Sequence, residues 1–571
     1  MFKQKYLYDA LLIAGALIPE LSVAQTSAMG SGNDAIREEV REFVIQTIRT
    51  QYFSTAPFDT TLPVEAMVNK LDPFSCYVTK AKFERDLLEQ NNEQFAYGFH
   101  FVVLYHQLVI SSIDPGSDLL AKALPGDEIA AIDGVPVRDS IPDALLPADR
   151  AIDLTLYRPS TSDTIDAVIR RKILPDPSVG PYGMLDDSTA FIKITEFTKG
   201  TSERLGEVLD SLVQAGENSG LQCDLDTYYD RLAEARFSLY RNNRPGYRAT
   251  WGEIKDYVRA RFGRTLKSLV IDLRGNPGGY VKEVIGCLSL FTDNNGEPLI
   301  TVRTRSGVDK YFAKASPRYP ELRLAVLVDN YSCSASEIFA GVLQDVDRAV
   351  IIGEPTIGKA LVMRYLDVPN GDKLFLAIGE YVLPSGRIIQ RPFHYDTIVG
   401  GAERMFPNLD NRDHAIDGAI SAGSCTNYLT KQGRKLNGAE GIIPDYIVSE
   451  NFWQDHPKWF LDALWRATIP YLQRNIAWLR TLSLDSIAHL PIPQSVTDSS
   501  LEYASASDTS RGHTSTANDA SEVPAIERWI LAYSLWQDQG WFEVRLRQEA
   551  ALRRAMEILR LPRQREFASA G

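Results

Sequence analysis

Cysteine is scarce, with five in 571 residues at Cys76, Cys223, Cys287, Cys333 and Cys425. An odd number at wide spacing implies neither a disulfide framework nor a zinc site, and predicts mostly buried thiols. Cys333 adjoins Ser334, yet a buried structural cysteine is the commoner case for that residue type. Basic charge is also in deficit: the formal net charge of -13 argues against a nucleic-acid partner. Long apolar runs are missing too, so no stable membrane span is expected. The short run Leu11–Leu21 follows Lys3 and Lys5 and ends in Ser22-Val23-Ala24, a small-x-small cleavage site. Residues 1–24 are therefore read as a signal peptide and the protein as periplasmic or secreted. Asp9 and Glu20 also suit a plain N-terminal helix, which stays open.

What is present describes a globular protein of two to four domains, 44% hydrophobic and 24% charged. Residues 33–95 carry apolar positions Ile36, Val40, Phe43, Val44 and Ile48 at helical spacing and predict a helical N-terminal module. Residues 96–173 change to short β-like runs, among them Gln107–Ile113 and Asp153–Tyr157, between Gly, Pro and Asp turns. Residues 174–450 alternate strands with helices, which predicts an α/β core with strands at Ala190–Ile194, Leu269–Leu273, Leu322–Val328 and Ala349–Ile352. A charged, Tyr- and Arg-rich stretch at 217–265 interrupts this core as a helical insertion. Residues 451–571 predict a helical C-terminal region, with a flexible linker at 494–523 where Ser, Thr, Asp and Ala dominate.

Chemistry concentrates in three segments. The buried run Leu322–Val328 and the helical run Glu337–Gln344 leave Ser334 on a strand-to-helix turn, where backbone N–H groups converge and can receive an oxyanion. Ser334-Ala-Ser-Glu337 is equally a capping box. Gly353-Glu-Pro-Thr-Ile-Gly358-Lys359 returns a lysine to the same sheet edge; the apolar neighbours Ile357, Leu361 and Met363 supply the burial that a neutral, basic lysine requires. The same heptapeptide starts a phosphate-binding P-loop, but Ala360 replaces the Mg²⁺-binding Ser or Thr and a strand follows where a helix is needed. The third segment, Leu269–Tyr280, runs from a buried strand into Gly275-Asn-Pro-Gly-Gly279; its spacing is not that of a dinucleotide fingerprint. No cofactor or metal is implied.

Asp272-Leu-Arg-Gly-Asn-Pro-Gly-Gly279, Ser334-Ala-Ser-Glu337 and the segment ending at Lys359, in that order and with 25 residues from serine to lysine, closely resemble the carboxy-terminal processing (tail-specific) peptidases of family S41. The resemblance runs from about Pro73 to Val448, leaving 217–265 without a counterpart. Tyr428–Lys435 and Gly441–Asp445 resemble the closing segment of a Bacteroidetes-like branch. The resemblance implies an α/β multidomain fold: a ClpP/crotonase-like peptidase core with an inserted PDZ-like β domain and helical N- and C-terminal segments. It implies Ser334 as nucleophile, Lys359 as general base, an oxyanion hole from Gly278 and Ala335, and supporting roles for Glu337 and Asp345. Tyr97-Gly98-Phe99-His100-Phe101 resembles a PDZ carboxylate-binding loop, and Leu124–Gly134 a later PDZ signature, which implies capture of unfolded or flexible polypeptide C-termini by β-augmentation. A homo-oligomer is left open. One position departs: the family usually has glutamine four residues after the lysine, where this chain has Met363, whose thioether is no donor. A peptidase whose lysine is oriented by another group, a slow enzyme and a peptide-binding scaffold without turnover all fit that departure.

Overall fold

The computed structural model describes residues 32–80, 82–83, 93–104, 106–114, 116–138, 141, 150–175, 178–218, 250, 253, 265–392, 428–438, 440–449, 458–509, 522–544 and 549–562. Residues 1–24, read above as a signal peptide, nearly all of the 217–265 insertion, Cys223 and Cys425 lie outside the described residues. The chain divides into two compact bodies of a mixed α/β, multidomain fold. One takes residues 87–181 and 449–553, and the other the N-terminal part to Asp86, 182–448 and the chain from Arg554.

The larger body opens with helices α1 (Gly32–Gln51) and α2 (Val64–Asn69) and strand β1 (Cys76–Val78). Val40, Val44, Ile45 and Ile48 share the buried face of α1 and pack with Phe74, Leu374 and Leu376 in one core cluster. Residues 33–95 are thus not wholly helical: β1 pairs antiparallel with the strand Lys373–Val382, because its apolar residues find a sheet edge to complete. In the smaller body the main strands are β2 (Phe99–Leu104), β3 (Gln107–Ile113), β4 (Glu128–Ile132), β5 (Ile152–Arg158) and β6 (Asp163–Ile169). They form an antiparallel sheet in chain order, with β2 at its edge and Leu108, Ile110, Ile129, Leu154 and Leu156 in its core. Glu93–Ala96 is also a strand, paired with Lys172–Pro175 where the chain enters and leaves this sheet.

The strands that carry the three motifs belong to the larger body. These are β7 (Thr189–Ile194), then α3 (Thr201–Asn218), β8 (Ser268–Asp272), α4 (Val281–Ser289), β9 (Ile300–Thr304), β10 (Gly307–Tyr311), β11 (Arg323–Val328), α5 (Ala335–Asp345), β12 (Ala349–Gly353), β13 (Leu361–Asp367), β14 (Lys373–Val382) and β15 (Tyr446–Ile447). Strands β7, β8, β11, β12 and β15 are parallel, in that order. Every residue of β8 and β12 is buried, the apolar texture of strands covered on both faces. A second, antiparallel sheet joins β1, β14, β9 and β10, with β13 also on β14.

The C-terminal helices are α6 (Lys458–Leu479), α7 (Gln494–Thr509), α8 (Val523–Val544) and α9 (Ala550–Arg560). Within the smaller body, α6 lies against the turn before β4: a Cβ at Gly126 would stand 2.2 Å from Ile469 Cγ2, and Gln473 Nε2 donates to Asp127 Oδ1 at 3.1 Å. The expected flexible linker at 494–523 is corrected in its first half, which is helix α7. Val496, Thr497, Ser500 and Ala504 form a buried stripe, and Thr497 and Ser500 donate their hydroxyls to the Glu527 carboxylate of α8 at 2.9 and 2.6 Å. Small polar residues read as disorder by composition; here a buried acceptor on a neighbouring helix satisfies them.

Candidate active site

Strand β11 ends at the C-terminal edge of the parallel sheet, where open α/β sheets place their sites. The turn after it is cross-tied: Asp329 Oδ1 accepts from the N–H groups of Gly275, Tyr331 and Ser332 at 2.9, 3.0 and 2.9 Å. Ser332 Oγ donates to Leu273 O at 2.9 Å. Cys333 N–H and Ser336 Oγ both donate to Asn276 O, each at 3.0 Å. So fixed, Ser334 adopts φ 55° and ψ -111°, a conformation that costs on the order of 1–3 kcal/mol in a residue bearing a side chain. Burial pushes the Cys333 thiol up to about 12, so the adjacent cysteine stays protonated.

The glycine turn lies directly against this serine. A Cβ built on Gly278, φ 112°, would stand 2.9 Å from each of Ala335 N, Cys333 O and Ser334 Cβ, so only glycine fits. Beneath it, the Asp272 carboxylate is fully buried but held down to about 2 by the Arg274 guanidinium and the Lys193 ammonium. Ala335 N–H belongs to the first turn of α5, where helix donors have no intrahelical acceptor. Gly278 N–H, by contrast, donates to Asn276 Oδ1 at 2.8 Å. The two expected oxyanion donors are therefore adjacent, but one already has an acceptor.

Glu337 joins the serine turn to the lysine segment. Its Oε2 accepts from Ser334 N–H and Lys359 N–H, each at 2.8 Å, and its Oε1 from Thr356 Oγ1 at 2.5 Å and Gly358 N–H at 2.6 Å. Burial pushes this carboxyl up, while the four donors favour its ionised form. Lys359 is 3% exposed, and burial pushes its amine down, as a general base requires. Its Nζ stands 4.5 Å from the centre of the Phe74 ring. Among the described residues no hydrogen bond joins Nζ to Ser334 Oγ: the two loops are tethered through their backbone N–H groups on the Glu337 carboxylate, not through Nζ or Oγ.

A model of peptidase family S41 matches residues 237–399, a span containing all three motifs. The carboxy-terminal-processing protease of Bartonella bacilliformis is 26% identical over 392 residues, covering 66% of this chain and 79% of that one. The carboxy-terminal processing protease of Bacillus subtilis is 23% identical, covering 66% and 72%. The chain belongs to peptidase family S41. As a member it is a serine protease whose curated relatives are carboxy-terminal processing proteases. Among solved structures, a putative S41 protease from Bacteroides fragilis aligns with 66% of this chain and 97% of its own at 16% identity, with a TM-score of 0.37.

Other S41 motif residues are dispersed. Asp345 closes the far end of α5, an 11-residue helix and so roughly 16 Å from Ser334. There it pairs with Arg387 at 2.8 Å and accepts from Ser385 N–H at 2.9 Å, bracing the loop after β14. Met363 follows a bulge at Val362/Met363, so strict alternation from Lys359 does not set its side; it packs against the cluster that contains Phe74. Gly98, Phe99, His100 and Phe101 lie in the smaller body at the start of edge strand β2, where His100 Nε2 is 2.9 Å from Asp114 Oδ1 and Phe101 is exposed. Among the described residues no group of three His, Cys, Asp or Glu could hold a metal ion, and no helix is long and apolar enough to cross a membrane. Sequence reasoning missed Phe74, Asn276, Asp329 and Thr356. Asn276 and Thr356 lie inside recognised motifs, whereas Phe74 sits 285 residues before the lysine it touches and carried no signal.

Proposed function

We propose that this protein is an endopeptidase that cuts near unstructured protein C-termini, with Ser334 as nucleophile and Lys359 as general base. The observation that carries this is the shared Glu337 carboxylate, which ties the backbone N–H of the serine to that of a buried lysine. Neutral Lys359 takes the Ser334 Oγ proton as Oγ attacks the scissile carbonyl. Ala335 N–H receives the oxyanion, joined by Gly278 N–H when it turns from Asn276 Oδ1. The lysine passes its proton to the leaving amine, and water, activated by the same amine, hydrolyses the acyl-enzyme. Edge strand β2 suits β-augmentation by an extended C-terminus, in keeping with a chain that carries both a PDZ-like domain and a ClpP/crotonase-like core. Residues 1–24 would send the protein to the periplasm or outside the cell.

The test uses an unfolded protein substrate ending in a free or an amidated carboxylate. Wild type is expected to cleave the free form faster, and Ser334→Ala and Lys359→Ala to lose turnover by at least about 1,000-fold. Equal residual cleavage in all three proteins would remove the catalytic assignment. Binding of the free carboxylate without turnover would favour the scaffold reading that Met363 motivates.

A further inference from the structure

With methionine where the family resemblance implies an orienting glutamine, the Lys359 amine needs another partner. The charged and titratable groups facing it are Cys333 from the serine turn, Glu337 from α5, and Asp72 and Cys76 from the segment leading into β1. Glu337, Asp72 and Cys333 make no hydrogen bond with the amine. Glu337 is committed to four donors, as above. Asp72 Oδ1 accepts from Phe74 N–H at 2.8 Å and Ser75 N–H at 2.7 Å, and its Oδ2 from Ser75 Oγ at 2.6 Å. Cys333 is a protonated, buried thiol. Directly against Nζ stands the face of Phe74, whose negative quadrupole attracts a cation most strongly where water is excluded; the ring is 1% exposed.

That ring is rigidly placed. The Asp72 turn fixes its backbone, and Ser75 Oγ accepts from Ala377 N–H of β14 at 3.1 Å. Ala377 in turn pairs with Met363 of β13, so the thioether and the ring belong to one apolar wall. We infer that Phe74 is a positioning residue for Lys359, its ring face holding the amine of the general base in place of the missing amide. The N-terminal segment thereby supplies part of the active site. The inference rests on the reading of Lys359 as base, but its readout does not depend on turnover.

The test replaces Phe74 with 4-fluoro-, 3,5-difluoro- and 3,4,5-trifluorophenylalanine, which drain the ring face with little change of shape. Titration of Lys359 Nζ is followed by ¹⁵N NMR, assigned with Lys359→Arg, beside the pH profile of kcat/KM. A weaker ring favours the protonated amine less, so the Nζ titration and the acid limb should move together to lower pH, stepwise, by about 0.5 to 1 pH unit at the trifluoro ring. Phe74→Tyr should keep the wild-type limb, and Phe74→Leu should move it as the trifluoro ring does. A flat series, or a shift upward, overturns the inference even where Lys359→Ala is inactive. A graded Nζ shift with Lys359→Ala still active would instead sink the base assignment and leave the ring contact standing.

Discussion

Around Ser334, polar groups hold the turn: Asp329, Ser332, Asn276 and Glu337 tie it to two neighbouring segments by hydrogen bonds of 2.8–3.0 Å. Around Lys359 the backbone is held the same way, yet the side chain is buried with the Phe74 ring against its amine and makes no directional tie of its own among the described residues. Under the proposed roles, the contrast follows from what each residue has to do. A serine must hold a strained backbone, which needs directional bonds. A lysine must be able to lose its proton, which polar or anionic company would oppose and dry, apolar company promotes. Glu337 serves both regions by spending the hydrogen bonds of its oxygens on N–H and O–H donors rather than on the amine.

Beyond Ser334 and Lys359 themselves, the largest effect is expected where the two regions meet. In Glu337→Gln an amide N–H₂ would face donors it cannot satisfy, so the variant should lose about 3 kcal/mol of stability by urea denaturation and at least about 100-fold in kcat/KM. Wild-type stability with reduced activity would mean that the tether acts on the chemistry without holding the loops.

Next comes the burial of the lysine. Its folded pKa lies below its unfolded value, so in the window between them the unfolded chain binds the extra proton and stability rises with pH, by up to about 1.4 kcal/mol per unit, flattening above about pH 10.4. Lys359→Met should be more stable than wild type at neutral pH and lack this rise; parallel stability curves for the two proteins would show that the amine is solvated. The smallest effect belongs to Met363→Gln. With the amine held by Phe74, the new amide should change kcat/KM by less than about two-fold and lower stability by about 1 kcal/mol for a polar group placed in an apolar wall. A ten-fold faster variant would show that the base region lacks an orienting group after all.

Much of this was legible in the chain. The runs predicted at Ala190–Ile194, Leu269–Leu273, Leu322–Val328 and Ala349–Ile352 are strands to within two residues at either end, because strands buried on both faces read as continuous apolar runs. The strand-to-helix turn at Ser334 was equally visible. Helix α7 was hidden because Thr497 and Ser500 look like linker residues until Glu527 accepts their hydroxyls. Asp345 was grouped with the active site by motif, but its partner Arg387 lies at the other end of α5.

By itself the sequence determined the order of strands and turns, the glycine that alone fits against Ser334, and the serine and lysine that carry the family's motif, since these depend on local backbone preference and residue chemistry. Only the tertiary structure decided that Gly278 N–H is engaged by Asn276, that Glu337 bridges both loops, and that Phe74 rather than a residue near Lys359 meets its amine. Such contacts close over tens to hundreds of residues, and which side chains they join depends on sheet pairings, such as Cys76 with Phe375, that no local pattern encodes.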